Sequence, residues 1–413
     1  MLKTIFNFPK KYFFLDDLLA GITVGIVTIP QAMAFAMLAG IPPIYGLYGS
    51  FIPLFIYGFL SSSNYLNVGP VSIVSIFIFD VLSNNVKPFT TEYINDLVIL
   101  GIMVGVIQFL FGVFGFGKFL RHIPMSIISG FIQAAAIIII ISQFTTAFGV
   151  EFPVHGLKKI PYLFTHLHEL KLNTTLLFLI SIIFLFLFAI FLPRFPTSIF
   201  LVLVTGILSY LFDFEKYGLL LIGEVPSGLP EFIFPTFSIN ALKYFPGALG
   251  LAIITSIGSS IMAIKLEPYQ PKKIKLDREY MSLGLAKIIS SFFGSMLSAG
   301  SFNRTILAYK IGGKTQITGI VSSIIILFTI LYLTPVVYYF PQSVIAALII
   351  YSVYFLFDFN LMFKLWREDK IELSYIFVTM AITLFIGLVE GILLGVFIKY
   401  LGDYIYKKII NLS

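Results

Sequence analysis

Apolar residues run through this chain in long blocks, broken by short polar or glycine- and proline-rich interruptions. Such blocks predict membrane-spanning helices, because about 20 apolar residues in a helix cross the hydrocarbon of a bilayer. Fourteen segments emerge, near 17–38, 43–60, 70–84, 96–116, 119–141, 173–192, 196–212, 245–265, 279–297, 301–311, 315–333, 340–357, 372–387 and 389–406. Two of them, 70–84 and 301–311, are too short to span alone. Each opens on a helix-start break, Asn67-Val68-Gly69-Pro70 and Ala299-Gly300-Ser301. From Gly69 to Gly300 is 231 residues, about half the chain. Interrupted segments at matching places in two halves predict an inverted-repeat transporter with its site between the short helices. Ordinary glycine-interrupted spans are the competing explanation, since Gly and Pro are common in membrane helices. The matched spacing favours the repeat. The expected fold class is therefore an all-α polytopic membrane protein, with seven segments in each half and two half-helices.

Composition agrees. Of 413 residues, 58% are hydrophobic and only 11% charged, which makes the bilayer the solvent for most of the chain. The basic stretch Met1–Lys11 is followed by an apolar run with no small-residue cleavage site, so no signal peptide is expected. An even number of spans puts both termini on one side. With the termini in the cytoplasm, inner segments hold 18 of the 27 Lys and Arg, among them Lys3, Lys10, Lys11, Lys118, Arg121, Arg194, Lys265, Lys407 and Lys408. Outer loops hold six: Lys87, Lys158, Lys159, Lys171, Lys216 and Lys243. The positive-inside rule selects that orientation in the cell's inner (plasma) membrane. The net charge of +7 then follows from topology and does not call for nucleic acid. No cysteine is present, which removes thiol chemistry and cysteine-ligated metals. His122, His155, His166 and His168 fall at helix ends or in loops, and no metal or cofactor is implied.

The candidate chemistry lies in Leu297-Ser298-Ala299-Gly300-Ser301-Phe302-Asn303-Arg304-Thr305. A glycine-serine break followed by a helix presents free backbone N–H groups and a positive dipole end, and Arg304 adds a full charge behind them. Near the bilayer midplane such a cluster is costly unless something anionic occupies it. No acidic residue lies between Glu279 and Asp358, so any carboxylate partner must come from a distant segment. An embedded enzyme would need clustered acids or a histidine within the spans. The one adjacent acidic pair at a helix start, Asp16-Asp17, is expected to face the cytoplasm. The reading is an anion transporter, not an enzyme.

The runs Asp17–Gly25, Ile29-Pro30-Gln31-Ala32-Met33-Ala34-Phe35-Ala36 and Ala39–Tyr48 resemble the sulfate permease family of anion transporters. So do Val68-Gly69-Pro70-Val71-Ser72, Ser301–Thr305, Gly312–Gly319, Leu333-Thr334-Pro335 and Pro341–Ala347. The resemblance covers roughly residues 15–405. It implies a core domain, about 15–116 and 245–333, that moves against a gate domain, about 119–212 and 340–406. It also implies that the anion sits between the N-termini of half-helices 3 and 10. Carried over by position, Gln31 and Phe35 line the pocket, Pro70 and Val71 open helix 3, and Ser301, Phe302, Asn303 and Arg304 open helix 10. A homodimer is implied as well.

Two departures from the family pattern matter. Many proton-coupled members carry a glutamate on helix 8, where this chain has Ser259. Nor does 253–265 contain the aspartate of sodium-coupled relatives. Both absences lean toward exchange or uncoupled movement over symport. Asp80 is expected at an interfacial helix end, and Glu390 at the turn before helix 14. The chain also stops at Ser413, without the cytoplasmic STAS domain that usually follows. A nucleobase carrier of the same fold would place a carboxylate where Ser259 or Arg304 stands. An anion channel, with the same pocket behind a looser gate, stays open, as does the anion itself: sulfate, bicarbonate, chloride and small dicarboxylates all fit.

Overall fold

The computed structural model describes residues 13–117, 124–150, 152, 156–192, 197–236, 239–354 and 356–410. Lys3, Lys10, Lys11, Lys118, Arg121, Arg194, His122 and His155 lie outside the described residues, as do the side chains of Lys265, Lys407 and Lys408. Fourteen principal helices follow the fourteen expected segments. They are α1 (Phe13–Leu38), α2 (Pro43–Leu60), α3 (Ser72–Ser83), α4 (Thr91–Val113), α5 (Met125–Ser142), α6 (Leu172–Phe191) and α7 (Thr197–Phe212) in the first half. The second half holds α8 (Phe245–Leu266), α9 (Leu276–Ser291), α10 (Phe302–Ile311), α11 (Ile317–Phe328), α12 (Gln342–Tyr354), α13 (Lys370–Phe385) and α14 (Leu388–Ile410).

Local chemistry sets the boundaries. Gly40 ends α1 with φ of 76°, a left-handed conformation that costs glycine little, and Pro43 then opens α2 at a position where a missing N–H is harmless. Thr90 caps α4 by accepting from the Tyr93 amide, and Asp369 caps α13 by accepting from Ile371 and Glu372. Eight of the described helices are long and apolar enough to cross a membrane. Large apolar side chains such as Ile180, Ile190, Phe191, Ile207 and Phe385 are exposed, as suits a surface solvated by lipid. The chain is a multi-pass membrane protein.

The strongest helix pairings fall into two groups, and α1 on α12 and α3 on α5 join them. In one, α1 and α2 pack on α11, α4 on α8 and α9, and α1 on α10. In the other, α5 packs on α13 and α14, and α6 on α12. The α4–α9 crossing is close because Gly105 and Gly284 face each other; a Cβ on Gly284 would lie 2.6 Å from the Gly105 carbonyl oxygen. Where lipid removes the hydrophobic drive between helices, such backbone proximity supplies the packing.

Three details depart from the sequence expectation. A ninth segment running to 297 was expected, but α9 stops at Ser291 and the chain turns through Gly294, with φ of 66°, toward the second half-helix. An amphipathic helix, Phe359–Glu368, occupies what the hydropathy pattern left as a loop. Asp17 does not face solvent: it is fully buried, and its carboxylate accepts from the Lys314 and Thr315 amides and from the Thr315 and Thr318 hydroxyls. It thereby holds the start of α11 against α1. Asp16 is half-buried and pairs with Lys314 at 3.0 Å.

Candidate functional site

The two half-helices meet through the short extended pieces before them. Strand β1 (Val68–Gly69) pairs antiparallel with β2 (Ala299–Gly300), Val68 opposite Gly300 and Gly69 opposite Ala299. The Ser301 amide donates to the Asn67 carbonyl at 2.8 Å, and the Asn67 amide donates to the Thr305 hydroxyl at 3.0 Å. The first turn of α10 therefore supports the strand that leads into α3, and the reverse. This local two-fold suits an inverted repeat of α1–α7 and α8–α14.

Neither half-helix is capped by its own side chains. Val71 stands at the N-cap of α3 and Ser301 at that of α10, and neither makes a side-chain cap bond. Each helix start is left with orphan backbone N–H groups and a positive dipole end. Pro70 contributes no N–H of its own and fixes the turn into α3.

Arg304 lies at the crossing. It is 1% exposed, and its Nη2 donates to the Pro70 carbonyl at 2.9 Å. Its Nε and Nη1 have no hydrogen-bond partner, and no carboxylate pairs with it among the described residues. A Cβ on Gly69 would stand 2.8 Å from Nη1, so glycine there makes room for the guanidinium. A buried guanidinium with two idle donors carries strong positive potential, and a bare charge in such a place is costly unless an anion or water answers it.

The remaining expected residues surround this point unevenly. Phe35 is buried on α1 in one apolar cluster with Val74, and Val71 packs against that cluster. Ser301 is buried, whereas Phe302 and Asn303 are exposed although they sit at the start of a broken membrane helix. Gln31 is half-buried, and among the described residues neither its amide nor that of Asn303 has a hydrogen-bond partner. Ser259 is 1% exposed, and its hydroxyl accepts from the Gly300 amide at 2.9 Å. The position read as a lost coupling acid is thus tied to β2. Asp80 is exposed near the end of α3, and Glu390 lies in the first turn of α14.

Sequence reasoning passed over three buried groups near this assembly. Asn67 is 2% exposed with both amide atoms unpartnered. Glu279 accepts from the Tyr57 hydroxyl, the Ser62 hydroxyl and the Ser62 and Ser63 amides, which joins the end of α2 to α9. Lys287 on α9 is 1% exposed and donates to the Gln108 amide oxygen and, at 3.1 Å, to the Thr255 hydroxyl. A charged residue deep in an otherwise apolar segment was the available signal for Lys287.

The chain is similar to known proteins over most of its length. A family model described as the sulfate permease family matches residues 14–401. Sulfate transporter 4.1, chloroplastic, of Arabidopsis thaliana is 35% identical over 94% of this chain, and the sodium-independent sulfate anion transporter of Bos taurus is 30% identical over 93%. The chain spans 58% of the length of the first and 68% of the second. Among solved structures, the murine solute carrier 26 family member A9 anion transporter in its inward-facing state matches with a TM-score of 0.89 and 26% identity. That match covers 97% of this chain and 70% of that one. The transmembrane domain of a cyanobacterial bicarbonate transporter shares the fold, with a TM-score of 0.80 at 20% identity over 93% of this chain and 98% of that one.

Proposed function

This chain belongs to the sulfate permease family, and on that premise we propose that it carries inorganic anions across the membrane through the space between the α3 and α10 N-termini. The observation that carries the reading is the buried Arg304, without a carboxylate partner, behind two uncapped half-helix starts. An anion there receives the orphan amides of both helices, and the helix dipoles and guanidinium offset part of its desolvation. The free amides of Gln31 and Asn303 supply further donors, while Phe35, Val71 and Phe302 exclude water from the rest of its surface. Pro70 and Ser301 fix where the two helix starts stand. Arg304 acts through its field and needs no direct bond to the anion.

Transport follows alternating access. The group formed by α1–α4 and α8–α11 is the core that holds the anion, and α5–α7 with α12–α14 is the gate against which it shifts as a body. Relatives named as sulfate and anion transporters support this class of substrate. Ser259 offers no proton to give or take near neutral pH, so the mode is exchange or uncoupled movement in place of proton symport. The protein works as a homodimer in the inner (plasma) membrane, both termini cytoplasmic, the orientation that the Lys and Arg distribution favours.

The test is labelled sulfate uptake by chloride-loaded proteoliposomes, with and without a pH gradient. Uptake is expected to ignore the gradient, and a requirement for internal chloride marks exchange as against uncoupled movement. Uptake driven by an inward proton gradient would overturn the exchange mode. Failure to carry sulfate, bicarbonate, chloride or any small dicarboxylate would overturn the transport reading.

A further inference from the structure

The Phe359–Glu368 helix has no part in the proposed anion path, and its surface suits neither water nor hydrocarbon. Phe359, Met362, Phe363 and Trp366 recur at i, i+3, i+4 and i+7 and form one face. On that face Phe363 is 68% exposed and Trp366 63%. Asn360, Lys364, Arg367 and Glu368 recur at i, i+4, i+7 and i+8 and form the other. Its charges keep this helix out of the bilayer core, and its bare aromatic rings are ill placed in water. An amphipathic helix with Trp and Phe on its apolar side and Lys and Arg on its polar side lies in the headgroup layer. Its place in the chain agrees, because it joins α12 to α13. Trp366 is the only tryptophan in the chain, a residue type enriched at that level of a membrane.

The apolar face does not close against α13. A crevice of about 310 Å³ separates them, walled by Phe359, Met362, Phe363 and Trp366 on one side and by Leu373 and Phe377 on the other. Every lining residue is apolar, and the cations stand at one end. Lys370, Leu373 and Phe377 fall at i, i+3 and i+7 on one face of α13, so Lys370 heads the wall that the other two continue. Its ammonium lies 5.9 Å from the centroid of the Trp366 ring. Arg367 follows Phe363 by one turn of the short helix. The acids near this end are engaged elsewhere. Glu368 faces Lys364 at 3.8 Å, Asp369 accepts from the first amides of α13, and Glu372 and Asp403 hold Lys399. Among the described residues Arg367 and Lys370 enter no ion pair.

We infer that this crevice is a binding site for an anionic phospholipid, its acyl chain between the two apolar walls and its phosphate on Arg367 and Lys370. The match is in two parts, and the geometry joins them. Leu373 and Phe377 lie about 4.5 and 10 Å beyond Lys370 along α13, the direction in which an acyl chain leaves its headgroup. A guanidinium and an ammonium at the mouth are the groups that bind a phosphate. A second copy of the chain would cover the rings and leave those two cations unanswered. In the orientation proposed above, the mouth faces the cytoplasm, which makes the lipid one of the inner leaflet. The site itself does not depend on which anion the protein carries.

Trp366, as the sole tryptophan, reports on the crevice directly. The test is quenching of its fluorescence in the full chain, held in phosphatidylcholine nanodiscs that contain a rising fraction of a lipid brominated on its acyl chains. Brominated phosphatidylglycerol is expected to half-quench at a mole fraction on the order of tenfold lower than brominated phosphatidylcholine. Arg367→Gln combined with Lys370→Gln is expected to abolish that preference and leave the unfolding temperature unchanged. Lys272→Gln combined with Lys273→Gln removes equal charge from the exposed loop before α9 and is expected to keep the preference. Equal quenching of wild type by the two lipids would mean bulk lipid contact only and overturns the proposal. So does a preference that the Lys272 and Lys273 changes abolish as fully as those at Arg367 and Lys370, which would mean a general surface charge. No quenching by either lipid overturns it in favour of a protein seated on the crevice.

Discussion

Arg304 donates from Nη2 to the carbonyl oxygen of Pro70 at 2.9 Å, across 234 residues of sequence. That one bond ties the start of α10 to the start of α3. The residue that charges the site is therefore also a strut between its two walls. Its Nε and Nη1 remain idle, so the strut uses only part of the guanidinium.

Gly69→Ala is expected to disturb this arrangement directly. The new methyl would stand 2.8 Å from Nη1 and 2.9 Å from Nη2, and the guanidinium must move. Overpacking of this kind costs about 1–3 kcal/mol of stability. Sulfate uptake should fall by more than stability loss explains, because the field at the helix starts changes. Uptake and thermal unfolding measured on the same preparation check this.

Ser259→Ala removes the acceptor for the Gly300 amide and leaves a buried N–H without a partner. The cost is about 1–3 kcal/mol, read as a lowered unfolding temperature. Uptake should weaken without gaining any dependence on a pH gradient. Ser259→Glu places a titratable group on α8, and uptake by that variant should come to depend on an inward proton gradient.

Asp17→Ala is expected to be among the most destabilising changes in the chain. It strips the acceptor from four donors at the α10–α11 junction at once. Loss of a buried carboxylate so bonded should cost about 3–5 kcal/mol, and Asp17→Asn less, since an amide oxygen still accepts. Thermal unfolding in detergent ranks the two. Equal stability of both variants with wild type would contradict the burial seen here.

The parts legible in the sequence are those that break a pattern. Gly69-Pro70 and Gly300-Ser301 interrupt apolar runs at matched positions, and an arginine inside an apolar helix stands out wherever it falls. Asp17 and Glu279 were illegible for the opposite reason. At a helix end, an acid that faces water and one that accepts several buried hydrogen bonds look alike in sequence, because burial depends on segments 200 or 300 residues away. Lys287 was hidden between the two cases. Its helix was readable as a span, but the Gln108 and Thr255 acceptors come from two other helices, and only the fold brings them together. The Phe359–Glu368 helix escaped because its apolar positions recur at helical spacing among charges, too sparsely for a hydropathy scan.

The central claim is that an anion sits at the paired half-helix starts under the field of Arg304. Equilibrium binding of labelled sulfate to the purified chain, wild type against Arg304→Ala, tests it most directly, with unfolding temperature recorded for both. Removal of a full charge this close should weaken binding by at least about tenfold while the variant remains folded. Unchanged sulfate affinity in a folded Arg304→Ala variant would contradict the account.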